Sequence, residues 1–321
     1  MSEVQAGSAD FVGVAVAKAE LRMSCKGVLE TVPNRKPKLQ RWLGTLPENC
    51  HMAMEATSTY HEALAELAQA AGHTVYVVNP KHIKHYRTAT QGRAKTDLCD
   101  AQLLARYVEH EHIHLHPWTP LSPAARKMCT LLRRRATVVR TKTQLVQALE
   151  IDAKALGLAR KLRGTLDSID RLLAEMDKQL ELLLQHPAHR EASARLQSIV
   201  GIGPLNAAAL LVALQRGNFA TPDAFVAFLG LDPVPRDSGQ SCGRRRLSKQ
   251  GDSETRRLLF NAAMSACATQ LWRPFYKRYL DRGLKRVQIL CIIARKLVRI
   301  AWSLHKYETN FSPERFAATL T

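Results

Sequence analysis

The feature that most constrains this chain is the place where its strand signal stops. Short apolar, β-branched runs stand at 11–16 (FVGVAV), 50–54 (CHMAM) and 74–78 (TVYVV), with a weaker one at 28–32. Helical patterns at 36–46, 60–71 and 97–109 lie between and after them. Strands interleaved with helices predict an α/β layer around a central sheet. After about residue 120 no comparable run appears, so the remainder must build its core from helices. At 321 residues and 46% hydrophobic content, both parts have enough apolar side chains for a core.

Two long helices are expected next. From Ser122 to about Leu156 the pattern is helical and basic, and a second helix begins after the glycines at 157 and 164. Leu166, Ile169, Leu173, Met176, Leu180 and Leu183 recur at alternating spacings of three and four, a coiled-coil seam of nearly three heptads. An antiparallel hairpin follows from this, whose seam serves either its own partner helix or a second chain. Past Pro187 a compact helical region opens with SIVGIGPLNAAALLVAL. This resembles a helix-hairpin-helix, whose backbone N–H groups can meet a DNA phosphate, and it also suits a plain packing corner. The expected division is 1–120, 121–190 and 191–321.

Charge follows the same divisions. The chain carries a net +19. Basic and acidic residues number 13 and 12 over 1–120, 15 and 8 over 121–215, and 17 and 6 over 216–299. A nearly neutral first part joined to a strongly cationic remainder points to a polyanionic partner. RRR at 133–135 (Arg133, Arg134, Arg135) and the later cations, Lys277 and Arg278 among them, are the expected backbone contacts. No run of eighteen apolar residues and no secretion signal occur, so a soluble cytoplasmic protein is expected, without a membrane. The seven cysteines form no C-x-x-C pair and read as reduced, mostly buried thiols. HEHIHLH, residues 110–116, reads as an extended link rather than a metal site.

Three acidic residues are the candidates for chemistry in the first part. KTDLCDAQLLARYVEH places Asp97 and Asp100 three apart, on one face at the start of a helix. Glu55 ends a strand, where an α/β sheet projects side chains into its crevice. Such a set suits Mg²⁺, which takes one or two carboxylates and leaves positions for water and phosphate. Asp97 also reads as a plain helix N-terminal acid. A ribonuclease H-like metal site would place a further acid on the first strand, where Ala15 stands.

In the last part, RDSGQSCGRRRLSKQG (236–251) combines glycines at 239, 243 and 251 with Arg236, Arg244, Arg245, Arg246 and Lys249. Glycine lets backbone approach a phosphate closely and the cations donate to its oxygens. Ser241 lies within this loop, with Ser238 and Ser248 nearby.

FVGVAVAK with AELRMSC, MEATSTY, GRAKTDLCDA, SIVGIGPLNAAALL and FLGLDPVPRDSGQSCGRRRLSKQGDSETRRLLFNAAMSA occur in the order of the signatures of DEDD transposases. The chain resembles the insertion-sequence one-ten family of bacterial elements along nearly its whole length. The resemblance implies a RuvC-like (ribonuclease H-like) N-terminal domain, a coiled-coil middle and a mainly α C-terminal transposase domain. It implies donor and target DNA, a structured guide (bridge) RNA, a dimer or tetramer, and a composite site shared between protomers. By the same resemblance Glu55, Asp97 and Asp100 are the second, third and fourth acids of a Mg²⁺ tetrad. Ser241 is then the nucleophile that forms a phosphoserine link to DNA. Ala15 occupies the place of the first aspartate, a change expected to inactivate this chain. The other readings are a metal-dependent nuclease or Holliday-junction resolvase without covalent chemistry, and a catalytically dead nucleic-acid-binding protein.

Overall fold

The structure, a computed structural model, describes residues 10–56, 59–90, 97–235 and 245–318. It separates into two compact units, one up to Pro120 and one from Leu121 onward.

The first unit is built on one five-stranded sheet. Its strands are β1 (Phe11–Val16), β2 (Glu20–Cys25), β3 (Val28–Pro33), β4 (His51–Glu55) and β5 (Thr74–Val78), in the order β3-β2-β1-β4-β5. β1, β2 and β3 form an antiparallel meander, while β1, β4 and β5 run parallel. The β2–β3 turn is the two-residue hairpin Lys26-Gly27, both with positive φ, the geometry that matches strand twist. The parallel strands are linked by α1 (Lys36–Leu43) and α2 (Glu62–Ala70), and β5 is followed by α3 (Pro80–Ala89) and α4 (Asp97–Glu111).

Strand periodicity assigns the two faces. Val12, Val14, Met52, Met54 and Val75 share a buried cluster with Leu39 and Trp42 of α1 and Leu64 of α2. The alternate residues Ala53, Tyr76 and Val78 pack with Ile83 of α3 and Leu104 and Val108 of α4. By the same alternation Gly13, Ala15 and Glu55 belong to the α4 side. At Gly13 the helix touches the sheet itself: a Cβ there would lie 2.0 Å from the Ala101 carbonyl oxygen and 2.2 Å from the Ala105 nitrogen.

The sequence reading found four of these strands and three of the helices. β2 went unread although Leu21 and Met23, both buried, alternate with Arg22 and Ser24. α3 went unread because little of it is apolar; its start is marked by Asn79, whose Oδ1 accepts from Lys81 N at 2.9 Å, and by Pro80 at the first turn. HEHIHLH is not extended throughout: α4 runs through His110 to Glu111, and His112–His114 form a 3₁₀ turn. Of the six described cysteines only Cys50 is buried, and burial pushes its thiol up to about 11.

The second unit is helical. α5 (Pro123–Leu149) and α6 (Ala159–Leu184) form an antiparallel hairpin. Arg135 Nη2 donates to Asp177 at 2.9 Å and Lys142 Nζ to Asp170 at 2.7 Å, two rungs of one register. At the root, Ala125 and Met128 of α5 and Leu180 and Leu184 of α6 enter the main core. Toward the tip Leu166 and Ile169 are only half-buried, and Ile151 and Leu156 are 89% and 61% exposed.

The core continues through α7 (Arg190–Gln197), α8 (Pro204–Leu214) and α9 (Pro222–Phe228). It is completed by α10 (Ser253–Cys267), α11 (Arg273–Asp281), α12 (Arg286–Lys306) and α13 (Pro313–Ala318). The GIG turn before α8 is a close-packed corner. Gly201, at φ +103, sits where a Cβ would be 2.6 Å from that of Ala266, and Trp272 Nε1 donates to the Val200 carbonyl at 3.2 Å. β6 (Pro233–Val234) and β7 (Arg246–Leu247) form a short antiparallel ribbon between α9 and α10. Among the described residues no helix is long and apolar enough to cross a membrane.

The Gly13 contact yields a direct expectation. Gly13→Val forces α4 off the sheet, an overpacking cost of about 3 kcal/mol or more. Scanning calorimetry should show the transition of the first unit lowered by more than about 5 °C, whereas Gly44→Ala, whose Cβ meets nothing closer than 3.5 Å, should leave it in place.

Candidate active site

In the first unit the acidic positions converge at one end of the sheet. Val14 pairs with Met54 across the parallel β1–β4 ladder, so the next residues along, Ala15 and Glu55, stand level on neighbouring strands and on the α4 side. α4 starts at Asp97 and meets β1 at Ala101 and Ala105, which puts Asp100 directly before the contact with Gly13. The backbone thus brings Ala15, Glu55 and the first turn of α4 to one end of the sheet. The side chain of Asp97 lies outside the described residues.

One residue in this site was not anticipated. Arg87, in the last turn of α3, donates through Nη2 to Asp100 Oδ1 and forms an ion pair with it. The two side chains are 18% and 15% exposed, so the pair is largely removed from solvent. Tyr86, next to Arg87, stacks edge-on against Tyr107 of α4 with ring centroids 5.1 Å apart, which keeps the two helices together. The sequence offered no signal for Arg87, because a helix over 80–89 was not recognised.

Among the described side chains the arrangement offers few oxygens to a divalent ion. Ala15 supplies no oxygen, Asp100 is engaged by a guanidinium, and among the described residues no three His, Cys, Asp or Glu side chains are grouped to hold a metal. Asp10, at the opposite end of β1, is paired with Lys26 at 2.8 Å.

The second candidate site surrounds the β6–β7 ribbon. Ser241, Arg236 and Arg244, with Ser238 and Cys242, lie outside the described residues. What is described is how the segment bearing them leaves and returns. Pro233 pairs with Leu247 and Val234 with Arg246. Ser248 N donates to the Asp232 carbonyl at 2.9 Å and Ser248 Oγ bonds the Asp232 carboxylate. Lys249, at φ +54, closes the return by donating to the Gly230 carbonyl at 3.1 Å. Gly230 and Gly251 allow the returning chain to touch the end of α9: a Cβ on Gly251 would lie 2.4 Å from the Phe228 carbonyl oxygen. Arg245, Arg246 and Lys249 are exposed. Behind them, burial lowers the pKa of Arg256 and of Arg295, the latter also repelled by Arg299. Burial raises the thiol pKa of Cys291 despite the cations Lys249 and Arg295 beside it.

The outlying cations divide in two. Arg133, Arg134 and Lys277 are exposed, whereas Arg135 is half-buried and engaged by Asp177, so its charge serves the hairpin. Arg278 is half-buried over the rings of Phe275 and Tyr279, at 5.6 and 5.7 Å from their centroids.

Comparison with known proteins now decides the family. A family model named for DEDD transposases of the IS110 type and described as "Transposase" matches residues 14–151. A second, "Transposase IS116/IS110/IS902 family", matches residues 193–278. The chain belongs to the IS110 transposase family. It is 32% identical to the "Pilin gene-inverting protein" of Moraxella bovis, over 81% of each chain. It is 26% identical to the "Transposase for insertion sequence element IS1328" of Yersinia enterocolitica, over 94% of this chain and 98% of that one. A "Probable family 20 transposase" of Pseudomonas aeruginosa is 27% identical over 82% and 86%. This transposase is therefore a DNA-recombining enzyme. The DEDD character of the first family model suggests dependence on a divalent metal within the family.

The split among the cations has a measurable consequence. Arg134→Ala should reduce the slope of log K for DNA against log salt by about one, the signature of one lost phosphate contact. Arg135→Ala should leave that slope alone and lower the melting temperature, because it breaks the hairpin rung to Asp177.

Proposed function

We propose that this IS110 transposase is built as an RNA-guided DNA recombinase that cuts and rejoins DNA through Ser241, and that this chain is disabled at Ala15. The observation that supports this best is the ordered match of both family models, the second of which spans the ribbon and the segment it brackets. Ser241 falls between cations on both sides, with exposed Arg245, Arg246 and Lys249 at the return of the segment. In the cleavage step the Ser241 oxygen bonds to phosphorus and the P–O bond to one DNA strand breaks. The serine proton ends on the departing DNA oxygen. The reverse reaction, with the hydroxyl of a different strand attacking, releases the serine and joins new ends without external energy. A serine hydroxyl is a weak nucleophile, so the arginines serve by absorbing the charge that develops on the phosphoryl oxygens.

The first unit is assigned the family's ribonuclease H-like, RuvC-like role. The support is the order β3-β2-β1-β4-β5, with the antiparallel meander beside parallel strands and Glu55 at a strand end. Mg²⁺ is the cation that its acids Glu55, Asp97 and Asp100 would have served in a complete tetrad, and Ala15 disables that site in this chain. Guide RNA and DNA share the cationic second unit, and base specificity then resides in the RNA rather than in protein side chains. The exposed Ile151 and Leu156 at the distal end of the α5–α6 hairpin favour a coiled-coil contact with another copy in a dimer or tetramer.

The test compares this chain and Ala15→Asp, each with and without Ser241→Ala, on donor and target DNA with the element's RNA and millimolar Mg²⁺. Ala15→Asp should recombine and leave a covalent protein–DNA adduct on a denaturing gel. The unaltered chain should bind DNA without an adduct, and Ser241→Ala should abolish both products. Cleavage that survives Ser241→Ala would instead establish a nuclease without a covalent intermediate.

A further inference from the structure

We infer that Arg87 is the resident cation of the acidic site, and that its pairing with Asp100 excludes divalent metal from the first unit independently of Ala15. The inference rests on the reading above only in taking Asp100 as one of the family's acids. A complete carboxylate set would bind a divalent ion through anionic oxygens with lone pairs to spare, and affinity follows the number and charge of those oxygens. Here one oxygen of Asp100 accepts from the Arg87 guanidinium, and its charge is already balanced at short range in a site sheltered from water.

Three features hold Arg87 in this place. It lies in the last turn of α3, where the helix dipole favours a cation. Ile83, one helical turn earlier, is 2% exposed and ties α3 into the sheet cluster. The Tyr86–Tyr107 contact fixes α3 against α4 one residue from Arg87. Asp100 is equally constrained, because Ala101 follows it into the contact with Gly13. An entering ion would have to expel the guanidinium from Asp100 and leave that cation poorly solvated beside another one. It would do so without the oxygen that Ala15 lacks. Two separate obstacles therefore stand at one site, one an absent ligand and the other an internal competitor.

The two obstacles can be measured apart. Nucleic-acid-free full-length protein is titrated with Mn²⁺, and the free ion is followed by electron paramagnetic resonance. The unaltered chain should give no saturable binding in the submillimolar range. Ala15→Asp should bind weakly, and Ala15→Asp with Arg87→Gln should bind about ten-fold tighter or more, the scale on which neighbours of metal ligands act. Adding Asp100→Asn should remove that gain. Equal affinities for Ala15→Asp with and without Arg87→Gln overturn the inference. A second measurement needs no variant at Arg87: the melting temperature of the unaltered chain should not respond to millimolar Mn²⁺, since a ligand that binds only the folded state raises it. A rise that Asp100→Asn abolishes would also overturn the inference. Neither result depends on Ser241, so failure of recombination and failure of this inference are separately visible.

Discussion

The contact between Gly13 and the backbone of α4 is the constraint on which the first unit depends. A helix packed on a sheet normally stands off by the thickness of two side-chain layers. Here the absence of a Cβ lets α4 rest on β1 through Ala101 and Ala105. That single approach sets the height of the helix above the sheet. It therefore sets where the first turn of α4 falls relative to Ala15 and Glu55 at the ends of β1 and β4. The first turn of α4 is held near the ends of β1 and β4 because a residue with no side chain lets the helix rest on β1.

Much of this was legible in the sequence, and the reason is periodicity. The apolar β-branched runs FVGVAV and TVYVV named β1 and β5 to the residue, and the spacing of Asp97 and Asp100 placed both on the first turn of a helix. Of the residues spaced as a seam on α6, Leu173, Met176 and Leu180 are buried. What escaped was whatever lacks a local pattern. α3 carries few apolar residues and is helical because it begins with an Asn-Pro cap and packs Ile83 and Tyr86 against neighbours remote in sequence. Arg87 could not be found from spacing, since its partner sits thirteen residues away in another helix. Arg135 was read with its neighbours as one cationic run, but the three arginines point in different directions around a helix, and the one facing α6 met Asp177.

Charge therefore has two uses in this transposase, and burial separates them. Arg87 and Arg135 are partly withdrawn from solvent and each is satisfied by one aspartate, where an ion pair fixes the relation of two helices. Arg134, Arg245 and Arg246 remain exposed, where cations are accessible to a polyanion. The net charge of the second unit overstates what a nucleic acid meets, because part of it is consumed internally.

The ribbon of β6 and β7 has a consequence in chain entropy. Only two residue pairs join the strands, yet they hold together the ends of residues 235–245, and the bonds of Ser248 and Lys249 to Asp232 and Gly230 extend the tether into the core. Closing a loop is costly chiefly in bringing its ends to one place. Folding of the second unit meets that cost before any DNA arrives. The posts on either side of residues 236–244 are then fixed relative to each other by the fold itself.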